Sequence, residues 1–242
     1  MSSHGYSAEL DSSLRVLGEL VVSEESLETT AHRIVALVVE LIEGVDLGGL
    51  SLVRGGGKIE TLGMTEELVG TIDAVQYECG EGPCLSSIGE QATFEMSDMT
   101  TDTTWPRFST RAAEMGVRGL LSFVLRVSED SLGALNLYSR SPNAFTPQDR
   151  ATGAIFAAQG AISLANALTH DQDLQRTAEL ERGLATRGVI GRAIGILMER
   201  ERCSSDEAMA MLTTASQHMN KKLREIAVGI VDETERSHGE DR

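Results

Sequence analysis

The chain has 242 residues, 41% of them hydrophobic and 24% charged, which suits one medium and one small domain and reads as an ordinary soluble globular protein. A formal net charge of −16 argues against non-specific nucleic-acid binding. With 5 Phe, 3 Tyr and 1 Trp, the core must rely on Leu, Ile, Val, Met and Ala.

No apolar run approaches the roughly 18 residues of a membrane helix, so no membrane contact is expected. The N-terminus MSSHGYSAELDSSLR has no basic stretch followed by an apolar one, so no secretion signal is expected. Three cysteines without such a signal read as reduced thiols in a cytoplasmic protein. The acidity is uneven. Residues 1–173 carry 10 basic and 25 acidic side chains, whereas residues 174–236 carry 10 of each.

In chain order, residues 9–43 read as helical, with Leu27, Ile34, Leu37, Val38, Leu41 and Ile42 near one face and a stop at Gly44. LGGLSLVRGGGKIETLG reads as two strands about Gly55-Gly56-Gly57. Residues 64–76 fit a short helix, YECGEGPCLSSIGE a loop entering a helical turn, and residues 92–96 a strand. WPRFSTRAAEMG reads as a helix ended by Gly116. GLLSFVLRV and SLGALNLYS form a hairpin about Ser128-Glu129-Asp130. A long helix follows Pro147, a residue suited to a first helical turn, and runs through residue 168. Short loops between paired strands imply an antiparallel sheet with helices packed on it, an α+β fold.

Residues 169–185 turn polar and helix-favouring, a helical linker in which Leu174, Leu180 and Leu184 make no clean heptad. Residues 186–235 carry three short amphipathic patterns, followed by a tail at 236–242. The first places Ile190, Ala193, Ile194 and Leu197 on one face. The second opens with Ser204 and Glu207 at capping-box spacing and shows Ala208, Met211, Leu212, Ala215 and Met219. The third shows Leu223, Ile226, Ala227, Ile230 and Val231. None is stable alone, so the three are expected to pack as a bundle.

Catalytic signatures are absent. RGGGK at 54–58 lacks the spacing and the Ser/Thr of a phosphate-binding loop, and neither HExxH nor GxSxG occurs. Cys79 and Cys84 have no His within ten residues, so neither a metal site nor a cofactor is expected. GEGPC reads as a structural turn, with a thiol redox sensor as the alternative. The chain is expected not to be an enzyme.

The run VIGRAIGILMERERCSSDEAMAMLTTASQHMNKKLREIAVGIV resembles the ANTAR family of RNA-binding transcription antiterminators. The resemblance rests on Ala193-x-Gly195-Ile196-Leu197-Met198, Glu199-Arg200, Asp206-Glu207-Ala208, Ala215 and Asn220 through Ala227. Residues 20–168 resemble a GAF domain, through GEGPC at 80–84, Trp105-Pro106-x-Phe108 and Leu132 through Leu137. The resemblance implies a signal-responsive homodimer that binds stem-loops in nascent RNA and prevents terminator formation. It also implies a small-molecule ligand in the first domain. It points to Ala193, Gly195, Arg200, Ser216, Gln217, Asn220, Lys221, Lys222 and Arg224 as RNA-binding residues.

Plainer readings stand beside these. Gly195 fits close approach of RNA or tight helix packing. Asn220 fits a cap, and Lys221, Lys222 and Arg224 fit a solvated face. Trp105 and Phe108 fit a ligand pocket or the core. This chain has Ile194 where many relatives carry Lys or another polar residue. No aromatic residue lies between 174 and 236, so any base stacking must use Arg planes or apolar faces. A sensor or protein-interaction module whose helical tail grips a protein partner is the competing reading.

Overall fold

A computed structural model describes residues 3–21, 25–128 and 130–240. The order is α1 (Ser3–Val21), α2 (Leu27–Leu41), β1 (Leu47–Val53), β2 (Ile59–Met64), α3 (Glu67–Cys79), α4 (Pro83–Glu90), β3 (Phe94–Met96), α5 (Pro106–Glu114), β4 (Gly119–Val127), β5 (Asp130–Ser139), α6 (Pro147–Glu201), α7 (Ser205–Met219) and α8 (Leu223–Glu240). The chain divides into two compact units, Met1–Asp171 and Gln172–Arg242, and α6 contributes to both.

The first unit is built on a five-stranded antiparallel sheet in the order β2-β1-β5-β4-β3. Alternation of side chains sorts it into two faces. Leu50, Leu52, Leu121, Phe123, Leu125, Leu135 and Leu137 join one core with α1, α2 and α6. Leu47, Leu120 and Tyr138 point the other way and join Val69, Ile72 and Val75 of α3 and Phe108 of α5. Both faces are covered, so the central strands carry apolar residues on both sides, with Ser51, Ser122 and Asn136 standing among them. The expected antiparallel sheet flanked by helices is therefore the fold. Glu129 of the expected hairpin turn lies outside the described residues.

The expected helix over 9–43 is two helices. Ser26 starts the second, its Oγ accepting the Thr29 N–H at 3.3 Å. Residues 22–24, within the expected helix, lie outside the described residues. Thr146 and Asp149 cap α6 reciprocally: Thr146 N–H donates to Asp149 Oδ2 at 2.8 Å and Asp149 N–H donates to Thr146 Oγ1 at 3.2 Å.

α6 does not stop at residue 168. It continues through the polar stretch and includes the first of the three C-terminal patterns, which is therefore not a separate short helix. No proline interrupts 148–201, and the intervening Leu, Arg, Glu and Gln favour helix. By length and composition α6 is apolar enough to cross a membrane, and half of its apolar stretch is buried inside the folded chain.

In the second unit Ala193 of α6, Leu212 of α7, and Ala227 and Val231 of α8 form the core. Ile190, Ile194, Leu197, Leu223, Ile226 and Ile230 pack against it half-buried. The Ser204–Glu207 capping box is present, with both reciprocal bonds made. The expected apolar face of α7 is only partly used: Ala208 and Leu212 are buried, whereas Met211 is 44% and Met219 56% exposed. The third helix extends to Glu240, beyond its expected end.

Candidate functional site

The basic candidates sit where α7 passes into α8. Asn220 closes α7 in the left-handed conformation (φ 49°, ψ 41°), a conformation Asn tolerates better than most side chains. Its N–H donates to the Gln217 carbonyl at 3.3 Å, and the Lys221 N–H donates to the Ser216 carbonyl at 3.1 Å. Ser216 Oγ donates back to the Lys221 carbonyl at 2.6 Å. The Lys222 carbonyl accepts the Glu225 N–H at 2.8 Å and starts α8. This tight joint leaves Gln217, Asn220, Lys221, Lys222 and Arg224 exposed, with Ser216 half-buried and holding the turn. Asn220 thus acts as a C-cap whose side chain remains free to face outward.

The α6 candidates lie elsewhere on the bundle. Ala193 is wholly buried at the contact of the three helices, so its methyl group packs and presents nothing to a ligand. Gly195 is exposed, and a Cβ built there would meet nothing within 4 Å. Tight packing within this chain is therefore not its reason. With Ile196 and Arg200 it lines an open cleft of about 580 Å³ against Val231, Thr234 and Glu235 of α8, where Arg192 and Glu235 form an exposed ion pair at 3.4 Å. Thr234 lies ten positions beyond Arg224, roughly 15 Å along the helix. The sequence-predicted residues therefore fall into two patches, a basic joint and an apolar-floored cleft.

In the first unit Trp105 and Phe108 belong to the packed interior. Phe108 is wholly buried. Trp105 stacks edge-on against Phe94 at 5.9 Å, and its indole N–H donates to Ser86 Oγ at 3.3 Å. Glu81 of the GEGPC segment reaches across to cap α5, its Oε1 accepting the Arg107 and Phe108 N–H groups at 2.5 and 3.0 Å. Gly82 adopts φ +137°, where any Cβ would also lie 2.4 Å from Gln76 Oε1.

Sequence motifs missed the polar interior beside these residues. Asp73 of α3 is wholly buried. Tyr138 OH donates to its Oδ1, as do Asn136 Nδ2 and Gln76 Nε2, each at 3.3 Å; Thr61 Oγ1 donates to Oδ2 at 2.7 Å. Gln76 Oε1 accepts the Cys84 N–H at 2.9 Å and so ties the start of α4 to α3. Asn136 also donates to Ser51 Oγ at 3.1 Å, while its own carbonyl oxygen accepts from Ser122 Oγ at 2.7 Å. Cys84 Sγ donates to Ser51 Oγ at 3.4 Å.

Burial pushes the Asp73 carboxyl up to about 6, against the four hydrogen bonds that favour its ionised form. Burial, then the neighbouring Asp73 charge, pushes the Cys84 thiol up to about 12, the opposite of what a reactive thiolate needs. The signal in the sequence was Ser51, Ser122 and Asn136 standing at strand positions whose neighbours are Leu or Phe. Among the described residues no group of three or more potential metal ligands comes together.

Comparison with known families agrees with this architecture. The GAF domain family matches residues 24–165, more than half of the chain. The chain belongs to the GAF family. The ANTAR domain family matches residues 178–231, so this GAF domain is followed by an ANTAR domain. Curated proteins contain no match to the sequence.

Solved structures share the fold of the GAF domain. Free methionine-R-sulfoxide reductase from Neisseria meningitidis, solved with its substrate, is 13% identical with a TM-score of 0.55, over 70% of this chain and 95% of that one. The GAF domain of an Acinetobacter phosphoenolpyruvate-protein phosphotransferase is 15% identical with a TM-score of 0.51, over 70% and 97%. The chromophore-binding domain of a bacteriophytochrome from R. palustris is 8% identical with a TM-score of 0.53, over 69% and 64%. ANTAR domains are RNA-binding antiterminator modules and GAF domains are signal-sensing modules, which makes this a regulatory protein.

Proposed function

We propose that this GAF–ANTAR protein is a signal-responsive, cytoplasmic transcription antiterminator that acts as a homodimer. Its ANTAR domain binds stem-loops in nascent RNA and keeps a terminator hairpin from forming. The observation that carries this reading is the joint at Ser216–Arg224, where a left-handed Asn turn holds Lys221, Lys222 and Arg224 exposed inside the ANTAR match. A short basic edge of this kind suits loop phosphates, and Gln217 and Asn220 offer amides to unstacked bases. Residues 174–236 carry as many basic as acidic side chains, so the ANTAR segment adds no net repulsion of its own toward RNA.

The polar interior around Asp73 is the part of the GAF domain suited to respond to a signal. It links four strands, α3 and the start of α4 through directional hydrogen bonds, so a small molecule that enters it must break several of them. A gel-shift assay with a tandem stem-loop RNA and a scrambled-loop control tests the main claim. Loop-dependent binding is expected, with a loss of at least tenfold in the Lys221→Glu, Lys222→Glu double variant. Equal binding to both RNAs, or full binding by that variant, would rule out the assigned face.

A further inference from the structure

The polar interior of the GAF domain contains a continuous chain of hydroxyls. Thr61 Oγ1 on β2 donates to Asp73 Oδ2 at 2.7 Å and stands 3.1 Å from the Tyr77 hydroxyl of α3. That hydroxyl lies 2.8 Å from Ser51 Oγ on β1. Ser51 Oγ in turn accepts from Cys84 Sγ of α4 at 3.4 Å and from Asn136 Nδ2 of β5 at 3.1 Å. A hydroxyl has a single hydrogen to donate. With Asp73 ionised, Thr61 gives its hydrogen to the carboxylate, so Tyr77 must donate to Thr61 and Ser51 to Tyr77. Asn136 and Cys84 then fill the acceptor sites of Ser51. The charge at one end therefore sets the direction of the whole chain.

A proton reverses that direction. Oδ1 already accepts from Tyr138, Asn136 and Gln76, so the proton goes to Oδ2, which becomes a donor. Thr61 must now accept, and turns its hydrogen to Tyr77. Tyr77 turns to Ser51, and Ser51 to the Cys84 sulfur. No O–H or S–H bond breaks, because the hydrogens only swing about their C–O bonds. The Cys84 S–H, in the first turn of α4, loses its acceptor.

The surroundings hold the carboxyl close to the balance point. The titratable groups facing it are Tyr138 from β5, Tyr77 from its own helix and Cys84 from α4, all kept protonated by burial. β1 brings its backbone near, since a Cβ on Gly49 would lie 3.4 Å from Oδ2. α5 packs Phe108 and Ala112 into the adjoining core, while its Arg111 is engaged by Glu78. Burial thus works against four uncharged donors, with no cation bonded to Asp73. Every buried polar side-chain atom of the network has a partner, so a proton is the ligand that enters without displacing a side chain. Thr61 and Tyr77 are half-buried and give it a way in from solvent.

We propose that the GAF domain senses acidification: proton uptake by Asp73 reverses the chain Thr61–Tyr77–Ser51 and turns the Cys84 thiol from donor to acceptor. This names the signal of the antiterminator reading, and rests on that reading only for its output.

The test is infrared spectroscopy of the full chain without RNA between pH 5 and pH 8. The S–H stretch of Cys84, assigned by its loss in Cys84→Ala, is expected to move to the frequency of a free thiol on acidification. A protonated-carboxyl band should rise with it. Asp73→Asn is expected to abolish both changes. Thr61→Val and, separately, Tyr77→Phe cut the chain, so the carboxyl band should still rise while the S–H band stays fixed. An S–H band that ignores pH in the wild type, or that still moves in both cut variants, would overturn the proposal. So would the absence of any carboxyl band that Asp73→Asn removes. Gel shifts at the two pH extremes test the output. Loop-dependent binding whose pH dependence disappears in Asp73→Asn is expected. Binding that does not vary with pH, or varies equally in Asp73→Asn, would overturn acidification as the signal. Absence of RNA binding at both extremes would count against the antiterminator reading alone and leave the infrared result standing.

Discussion

Tyr138 on β5 donates its phenolic hydrogen to the carboxylate of Asp73 on α3, and both side chains are wholly buried. The other partners of Asp73 are the uncharged Asn136, Gln76 and Thr61, while Tyr77 and Cys84 complete the titratable groups nearby. Its carboxyl therefore titrates at about 6 in the folded protein, against an ordinary 3.8. Between those values the folded state holds a proton that the unfolded state has released, so stability falls as pH rises through this window. The accumulated loss above pH 6 is about 3 kcal/mol. Asp73→Asn removes the titration. The stability of the wild type relative to this variant should decline by roughly that amount from acid to neutral pH in denaturant melts. A difference that does not vary with pH would contradict the assignment.

Cys84 is buried beside the same carboxylate, which makes its thiolate costly to form. Iodoacetamide at pH 8 should label Cys203, which is partly exposed, and spare Cys84 until the protein is unfolded. Peptide mapping after a short exposure reads this directly. Rapid native labelling of Cys84 would revive the redox reading of Cys79 and Cys84.

The ANTAR core is small, and its burial is concentrated in few side chains. Leu212→Ala should destabilise this domain by about 2 to 5 kcal/mol, the usual cost of a buried Leu truncation. Met211→Ala, on the same helix but exposed, should change stability by less than about 0.5 kcal/mol. Thermal melts of the two variants in the full chain separate them, and equal effects would mean that the α7 face is covered in solution.

Phosphate contacts leave a salt signature. Lys222→Ala should weaken binding to all cognate stem-loops alike and reduce the slope of log affinity against log salt by about 0.7 to 1. Gln217→Ala should instead reduce discrimination between loop sequences with the slope unchanged. A slope unaltered by Lys222→Ala would remove that side chain from the RNA path.

The sequence carried the antiparallel sheet, the capping box and the ANTAR helices because each rests on local periodicity or spacing. It did not separate α1 from α2, since apolar residues continue at helical spacing and only the Ser26 cap marks the break. It placed a boundary at 169–185 where composition changes, but a polar surface does not end a helix that nothing interrupts. Ala193 and Gly195 look alike in the motif, yet one is sealed in the core and the other lies open. The residues around Asp73 come from α3 and from strands up to 85 positions apart, a convergence that no local pattern displays.

The hydrogen bonds around Asn136 also fix how the strands align. Its amide donates to Ser51 on β1 and Asp73 on α3, and its carbonyl accepts from Ser122 on β4, its direct cross-strand neighbour. Sliding β1 by one residue along β5 would turn Leu50 or Leu52 toward the Asp73 carboxylate and send Ser51 into the leucine face. Uniformly apolar strands would tolerate such a slip at little cost, because either face would still be greasy. Here a misaligned sheet strands a charge among hydrocarbon, so Asn136 selects one alignment out of several that hydrophobicity alone leaves nearly degenerate.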